Sequence, residues 1–421
     1  AVGLYKPVVA WAIVVISLPL GLLQLGRAAR EGRSVLPIER TNRWLAGFVV
    51  GLLILAGIQA LAPPTAWDSL VYHLTGPKLY IEAGRLHHDL DLPYLGFPQA
   101  GSMLFLWGML VAGDRVPQLI PLLFVPLTLL LLPGVVKQIA PGRSWLVAAI
   151  LLGVPSAYLL ASWPYVEWMA AFAGLASFVV LTSGEGSELA GGKPDPDLLV
   201  GSAGARQVAQ IVLAGFLAAL ALNTKYTAIW LVLGLGLVAY LRRRSLAEVA
   251  IFVASVAAFA FPFLLKNLLL TSNPFSPLIF PGKFWDAHRA EFYNRPGTGL
   301  EIGQLLLAPW EATVWGIEGG YYEGHPSYAA TLGPLLLALV PLALLALRFG
   351  KQVGNKTLLA LFVLCVTAYV GWLGELAFSQ RLVQTRLLFP VLPQLAILAA
   401  VGFDGLGLLG RRGRSARFII G

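Results

Sequence analysis

The sequence predicts an all-α, polytopic integral membrane protein. Of its 421 residues, 57% are hydrophobic and only 12% are charged, whereas soluble domains carry about 25% charged residues. The mean hydropathy is +0.76. Apolar runs recur along the whole chain, each close to the roughly 20 residues with which a helix crosses a hydrocarbon core of about 30 Å. These observations exclude a soluble globular fold.

The apolar runs predict a bundle of about 11 transmembrane helices. They cover residues 8–26, 44–62, 116–136, 145–162, 165–182, 207–223, 226–241, 248–270, 327–349, 357–378 and 383–405. The first run is followed by further spans and has no cleavage signal of small residues, so we interpret it as a helix and not as a signal peptide. Because the chain begins at Ala1 without a methionine, we expect further residues upstream.

Basic residues predict which loops lie inside the cell. The net charge of +9 would suggest a nucleic-acid partner in a soluble protein. Here the Lys and Arg residues lie in short loops, where they set the orientation and contact anionic lipid headgroups, so we expect no nucleic-acid partner. The loops predicted to be cytoplasmic are 27–43, 137–143, 193–206, 242–244, 348–356 and 411–417.

Strict alternation of the spans requires that residues 99–113 (QAGSMLFLWGMLVAG) do not cross. This run has 15 residues, which is short for a span, so we expect an interfacial or re-entrant helix. A second surface helix is predicted over residues 67–81. The predicted outer segments are then 63–115, 162–165, 223–225, 271–326 and 379–384, and the unusual polar residues of the chain fall in or beside them.

The spans and loops divide the chain into four parts. We expect an N-terminal transmembrane helix with a basic cytoplasmic loop (1–43), a membrane module that includes the outer loop 63–115 (44–270), an outer loop (271–326), and C-terminal transmembrane helices with a basic tail (327–421). Residues 183–206, rich in Gly, Pro and acids, predict a flexible connector. Cys365 is the only cysteine, which excludes a disulfide within the chain.

An acidic residue begins the polar stretch WDSLVYHLTGPKLY that follows the second predicted span. Pro63 and Pro64 end that span, and Asp68 follows them closely. In a helix, Asp68 and Tyr72 share one face. A partly dehydrated carboxylate here can accept a proton from a substrate hydroxyl. An equally simple interpretation is that Asp68 caps the following helix, and both roles are compatible.

Ionisable residues recur at the predicted outer ends of later spans. Glu167 begins one span, Lys225 lies at another corner, Lys266 lies about one turn inside a span, and Arg386 begins the last span. A single cation in such a place usually extends its side chain to the membrane interface. Together with Asp68, however, these residues indicate a pocket that binds an anion, most simply a phosphate.

The histidines do not indicate a metal site. His73, His87, His88 and His325 lie on the predicted outer face, but no two of them have the spacing of ligands on one element. Trp and Tyr residues at the span ends, Tyr165 among them, are typical of an interfacial belt, although rings that stack on sugars would look the same.

Several segments resemble a known enzyme family. The string WDSLVYHLTGPKLYIEAGRL, followed by LPYLGFPQAGSMLFLWGML, resembles the first outer loop of bacterial class C glycosyltransferases (GT-C), which use polyprenyl-phosphate sugars as donors. The resemblance continues, in the same order and on the same predicted side, through AYLLASWPYVEWMAAFAG, ALNTKYTAIWLVLG, FPFLLKNLLLTSNPFSPLIF and SQRLVQTRLLFPVLPQLAILAA. It therefore covers most of residues 44–405.

The resemblance implies a GT-C-like bundle with juxtamembrane helices in the first large outer loop, and it makes the 44–270 module the catalytic part. Asp68 would be the catalytic aspartate and Glu167 the second catalytic acid. Many relatives carry two adjacent acids in the first loop, whereas Ser69 follows Asp68 here. The substrate-binding residues expected on this basis are Tyr72, His73, Lys78, Lys225, Lys266, Gln384 and Arg386, of which Lys225 and Arg386 would hold the phosphate.

The implied function is transfer of a sugar from a polyprenyl-phosphate donor to a lipid, glycan or protein acceptor, at the outer face of a bacterial cytoplasmic membrane. No cofactor is required because phosphate is a good leaving group, although two carboxylates are compatible with a divalent cation. One alternative is a non-catalytic GT-C-like subunit that binds lipid or serves as a scaffold in a membrane complex. A transporter is a third hypothesis, which the absence of charged residues deep in the spans disfavours.

Overall fold

The computed structural model describes residues 4–30, 42–88, 92–183, 200–283, 287, 301–314, 321–322, 325–326, 332–349, 355–378 and 384–419. In chain order its α-helices are α1 (Pro7–Arg30), α2 (Arg43–Ala60), α3 (Thr75–Ala83), α4 (Ala100–Ala112), α5 (Val116–Ile139), α6 (Ser144–Leu152), α7 (Pro155–Ser162), α8 (Glu167–Thr182), α9 (Val200–Thr224), α10 (Ile229–Arg243), α11 (Leu246–Thr271), α12 (Ile302–Val314), α13 (Pro334–Phe349), α14 (Lys356–Phe378) and α15 (Leu392–Ile419). Most of the predicted connector 183–206 and much of the predicted outer loop 271–326 lie outside the described residues.

Short elements connect several of these helices. They are a π-helical turn (Ser69–His73) and 3₁₀ turns at Pro93–Gly96, Gly113–Arg115, Tyr226–Ala228 and Thr385–Val391. Two short strands, β1 (Tyr321–Tyr322) and β2 (His325–Pro326), pair antiparallel. The predicted surface helix 67–81 is thus divided into the π-helical turn and α3, and the fold is otherwise helical as predicted.

The prediction of a polytopic membrane protein is confirmed. By length and composition, 7 helical runs of the described residues can cross a membrane, or 8 if the bent pair α6–α7 forms one span. The shorter helices α8, α10 and α13 coincide with further predicted spans. Large apolar side chains are exposed along α1, α2 and α11, for example Val8, Ile58 and Phe261, which is the surface that contact with lipid chains requires.

The helix α4 turns back on α5 and does not continue into it. Gly113 has φ +71°, a conformation that glycine adopts without steric cost. A Cβ on Gly108 would lie only 3.0 Å from Val116 and 3.1 Å from Ile120, which places α4 beside the start of α5. At about 1.5 Å per residue, the 13 residues of α4 extend about 20 Å, less than a hydrocarbon core. The interfacial or re-entrant position of residues 99–113 stays a prediction.

One predicted span is broken. Residues 145–162 form two helices, α6 and α7, whose axes differ in direction by 77°. Proline at the first position of α7 disfavours a helical conformation for the residue before it, and Val154 is extended with φ −72° and ψ 121°. Pro155 thus explains why residues 145–162 do not form the single continuous helix that the sequence predicts.

The core is centred on α8, whose residues are buried along almost its whole length. It packs against α5, α9, α10 and the Thr385–Val391 turn. Alanine and glycine residues on α8 allow close approach of these neighbours; at Gly174, a Cβ would collide with Leu231. Because α8 cannot shift inside this packing, its first residue, Glu167, has a fixed position at one end of the bundle.

Polar contacts connect the segments that the charge pattern places in the cytoplasm. Arg242 donates hydrogen bonds to the Thr182 carbonyl and to Thr357 Oγ1, both at 3.2 Å. Asn355 donates to the Gln138 carbonyl at 3.0 Å. The ends of α5, α8, α10 and the start of α14 therefore meet at one end of the bundle, as the basic residues predict.

The contact between α13 and α15 gives a test of the packing. We expect Gly402→Ala to lower stability by about 1–3 kcal/mol, because a Cβ at this position would collide with the Leu339 carbonyl oxygen. Thermal unfolding in one detergent measures the effect. Gly51→Ala is the matched control, since Gly51 also lies in a helix but has open space around it. Equal melting temperatures for the two variants would contradict the α13–α15 contact.

Candidate functional site

Four charged residues from distant parts of the chain meet at the end of the bundle opposite the Arg242 contacts. Asp68 begins the turn after α2, Glu167 is the first residue of α8, Lys225 follows α9, and Arg386 lies in the 3₁₀ turn before α15. Each lies at the end of a helix or beside it. The structure thus brings together the two acids and two of the cations that the sequence singles out.

The four side chains form a continuous chain of ion pairs, which we call the acid–base cluster. The Arg386 guanidinium contacts Asp68 Oδ2 through Nη2 at 2.6 Å and lies 3.9 Å from Glu167 Oε1 through Nη1. Lys225 Nζ lies 2.5 Å from the same Glu167 oxygen. Asp68 is 7% exposed and Glu167 1% exposed. Burial makes such charges costly unless they are paired, so each residue depends on its neighbours in the cluster.

Further groups fix Arg386. Its Nε donates a hydrogen bond to Gln384 Oε1 at 2.6 Å, so the expected site residue Gln384 is indeed adjacent. The guanidinium also lies over the Tyr165 ring, 5.2 Å from its centroid. Tyr165 Oη accepts a hydrogen bond from the Asp68 backbone N–H at 3.3 Å. Sequence reasoning assigned Tyr165 to an interfacial belt and missed these contacts.

The side chain of Asp68 makes no capping hydrogen bond to the following turn. Its carboxylate is instead paired with Arg386, while its backbone begins the π-helical turn. Of the two interpretations that the sequence left open, the geometry therefore favours a role for the carboxylate in the site. The sequence could not distinguish them, since the position of the partner Arg386 depends on the tertiary fold.

Tyr72 lies beside the cluster. Burial, followed by the negative charge of Asp68, raises the pKa of the Tyr72 hydroxyl well above its ordinary value, so the hydroxyl keeps its proton. Its ring stacks on Tyr94, with centroids 5.2 Å apart, and meets Phe97 edge-on at 6.0 Å. Tyr72 is therefore a fixed hydrogen-bond donor next to Asp68.

His73 is buried behind Tyr72. Its Nδ1 lies 3.0 Å from Ser102 Oγ, so the imidazole and the hydroxyl share a hydrogen bond. Its ring packs against Phe105 and Tyr165. Burial lowers the pKa of His73 to about 4, so the ring is neutral at physiological pH. A neutral, enclosed imidazole supports the turn that carries Asp68.

Two of the expected substrate-binding cations lie elsewhere. Lys78 forms a salt bridge with Asp114 at 2.6 Å, and both side chains are about half exposed. Lys266 donates hydrogen bonds to the Leu95 carbonyl at 2.8 Å and to Gln99 Oε1 at 3.3 Å. Neither lysine contacts the acid–base cluster in the part of the chain that the structure describes.

A further acid, Glu375, lies near the outer end of α14. Its Oε1 accepts a hydrogen bond from Trp230 Nε1 at 2.7 Å, whereas its buried Oε2 has no hydrogen-bond partner among the described residues. Lys225 is close enough to act on it electrostatically. An acid inside an apolar span is itself a signal of function, and this signal was overlooked in the sequence.

The described residues contain no group of three or more His, Cys, Asp and Glu side chains that could hold a metal ion. Asp68 and Glu167 offer two carboxylates, and each already contacts a cation. Arg386 and Lys225 are the groups of the cluster with which an anion can pair.

The burial of His73 predicts a dependence of stability on pH. Its folded pKa of about 4 lies below the ordinary 6.5, so between these values the unfolded chain binds more protons. Stability should then fall as pH drops from 6.5 toward 4, by at most about 3 kcal/mol for this group. The charges that face His73 are Asp68, Glu167, Lys225 and Arg386.

Melting temperatures across this pH range, measured for the wild type and for His73→Gln, isolate the contribution of the imidazole. The glutamine can keep a hydrogen bond to Ser102 but does not titrate, so its profile should be flatter. Parallel profiles for the two proteins would show that His73 does not titrate as the burial requires.

Comparison with known proteins identifies the fold. No protein-family model matches the chain, and no curated protein sequence is significantly similar to it. The chain resembles two crystal structures of ArnT from Cupriavidus metallidurans, one bound to undecaprenyl phosphate and one in the apo state. The TM-scores are 0.55 and 0.56, with 16% sequence identity in both cases.

The alignments cover 86% and 87% of this chain but only 60% of the ArnT chain. The protein therefore spans about three fifths of the length of the structures it resembles. Similarity over most of the chain, together with the predicted spans and outer-loop helices, establishes the architecture: the protein has the polytopic membrane fold of ArnT, the GT-C fold.

Proposed function

We propose that the protein is a membrane glycosyltransferase that moves a sugar from a polyprenyl-phosphate donor to a hydroxyl group of an acceptor. The observation that carries this proposal is the acid–base cluster at one end of a GT-C fold, in which the buried Asp68 is paired with Arg386 and the buried Glu167 with Lys225. The ArnT structure bound to undecaprenyl phosphate supports a polyprenyl phosphate as the lipid partner.

The reaction assigns a role to each charge. The acceptor oxygen attacks the anomeric carbon of the sugar and gives its proton to Asp68. The bond between the anomeric carbon and the phosphate oxygen breaks, and negative charge builds on the departing phosphate. Arg386 and Lys225 stabilise that charge, as fixed cations do where charge develops in a transition state.

The ligand-free arrangement requires one rearrangement before transfer. Arg386 Nη2 contacts Asp68 Oδ2 at 2.6 Å, so the guanidinium occupies a carboxylate oxygen that the acceptor hydroxyl has to reach. A donor phosphate competes for the same guanidinium and shares its charge. Under the proposed function, donor binding therefore frees Asp68 to accept the proton from the acceptor.

We infer that this site faces the outer side of a bacterial cytoplasmic membrane, because the basic Arg242 contacts the ends of α8 and α14 at the opposite end of the bundle. A lipid, glycan or protein hydroxyl approaching from that side can reach Asp68. A divalent cation between Asp68 and Glu167 stays a hypothesis. Transfer that persists in excess EDTA would support the metal-free mechanism, and loss of transfer that Mg²⁺ or Mn²⁺ restores would overturn it.

Asp68→Asn tests the general base. We expect kcat to fall by at least about 10²-fold, because the amide keeps the shape of the side chain but cannot accept the proton. Transfer of radiolabelled sugar from a polyprenyl-phosphate donor, in a reconstituted membrane, measures the rate. Asp114→Asn is the matched control. Asp114 is also an aspartate paired with a cation, but its partner is Lys78 on the exposed surface and not a residue of the acid–base cluster.

An Asp68→Asn variant with wild-type transfer would end this assignment. A wild type that binds polyprenyl phosphate but transfers no sugar from any donor would instead identify the chain as a non-catalytic lipid-binding relative.

Lys225→Met tests the phosphate site. We expect affinity for a polyprenyl phosphate to fall by about tenfold or more, since removal of one charge-assisted contact typically costs about 1.5–3 kcal/mol. Fluorescence quenching or calorimetric titration in detergent measures the dissociation constant of the polyprenyl phosphate. Lys137→Met, at the opposite end of the bundle, serves as the control.

The same substitution at Lys78 examines the sequence-based assignment of that residue. Because Lys78 is engaged with Asp114 on an exposed surface, we expect unchanged affinity. An equal loss at Lys78 and Lys225 would contradict the location of the phosphate site.

A further inference from the structure

Residues 92–99, which follow α3, are held by side chains from α11. Lys266 Nζ donates hydrogen bonds to the Leu95 carbonyl at 2.8 Å and to Gln99 Oε1 at 3.3 Å. Gln99 Nε2 in turn donates to the Leu95 carbonyl at 2.9 Å. No carboxylate lies within salt-bridge distance of Lys266 among the residues that the structure describes. The lysine is thus engaged with neutral acceptors on this segment.

The next residue of α11 binds the same segment. Asn267 is fully buried, and its Nδ2 donates to the Gly96 carbonyl at 2.8 Å. Tyr226 Oη also lies within hydrogen-bonding distance of that carbonyl, at 3.4 Å, and of the Ser276 carbonyl, at 3.2 Å. A Cβ on Gly96 would lie 2.8 Å from the Ser276 oxygen, so the two backbones are in close contact.

The held segment carries the aromatic rings that contact Tyr72. Tyr94 stacks on Tyr72 with an interplanar angle of 26°. Phe97 meets Tyr72 on one side and Tyr226 on the other, with centroids 6.0 Å and 6.3 Å apart. Tyr72 is one helical turn from Asp68, in the π-helical turn. Displacement of the segment would therefore displace the support of Asp68.

The same contacts reach the phosphate side of the site. Tyr226 directly follows Lys225 in the chain, and Asn267 Nδ2 lies 3.3 Å from Tyr226 Oη. The corner that carries Lys225 and the segment that supports Asp68 are thus joined through Tyr226, Asn267 and Gly96. A rigid connection of this kind fixes the distance between a base and the group it serves.

We propose that Lys266 and Asn267 are positioning residues that hold residues 92–99, and through the Tyr94–Tyr72 stack set the position of Asp68 relative to Lys225. Lys266 is then a structural contact of the outer loop and not a ligand of the phosphate. The catalytic consequence rests on the proposed glycosyl transfer, whereas the positional claim does not.

Amide hydrogen exchange of the full-length protein in detergent tests the positional claim without any substrate. We expect Lys266→Met and Asn267→Leu each to speed exchange by at least about fivefold in two segments, 92–99 and 68–74, because loss of these hydrogen bonds frees the first segment and, through Tyr94, the second. Gln207→Ala is the matched control. It removes a hydrogen bond from α9 to Glu248, which lies on the same helix as Lys266 and Asn267, α11, but at its other end.

In both Lys266→Met and Asn267→Leu, the amides of α8 and α15 must stay as protected as in the wild type, which excludes a general loss of folding. Tyr226→Phe removes a single hydroxyl and provides a third, milder variant if either of the others fails to fold. Unchanged exchange in 92–99, or faster exchange there with 68–74 unaffected, would overturn the proposal.

Kinetics separate positioning from phosphate binding. In an active preparation we expect Lys266→Met to lower kcat by about tenfold or more and to leave the dissociation constant of polyprenyl phosphate unchanged. A weakened affinity with unchanged kcat would make Lys266 a phosphate ligand and overturn the proposal. If the wild type transfers no sugar at all, the proposed function fails, while the exchange experiment still decides the positional claim.

Discussion

The ion-pair chain Asp68–Arg386–Glu167–Lys225 is the interaction on which the arrangement of this end of the bundle depends. Its members come from four segments that are far apart in the sequence, and the two acids are almost completely buried. A buried charge without a partner costs several kcal/mol. Separation of any of the four segments from the others would therefore leave a buried charge without its partner. The ion pairs that hold these segments together also form the candidate site.

Which segments share one end of the bundle could be predicted from the sequence because the prediction follows from simple constraints. Each apolar run must cross or lie on the bilayer, and basic loops stay in the cytoplasm. The contacts of Arg242 with the ends of α8 and α14 were not used in that prediction, yet they join segments assigned to one side. The broken span at α6–α7 was missed because hydropathy does not register a change of direction, although Pro155 marks the place.

The candidate site could be predicted in outline for the same reason. Residues at the same ends of neighbouring spans must lie in one layer, which brings Asp68, Glu167, Lys225 and Arg386 within reach of each other. The pairing inside the layer depends on helix rotation and packing, which no single sequence pattern reports. Lys78 and Lys266 show this limit: both lie in the predicted outer layer, but Lys78 faces Asp114 and Lys266 faces the Leu95 carbonyl.

The charge balance of the cluster also bears on the proposed reaction. Two acids neutralise two bases, so an incoming phosphate meets cations that are already partly satisfied, and its binding displaces existing contacts. Such a site binds phosphate less tightly than two bare cations would. That is suited to a transferase, because the polyprenyl phosphate left after transfer must be released before the next donor binds, and a tightly held product would limit turnover. In the proposed reaction, the Arg386–Asp68 contact would be the competing interaction that favours release.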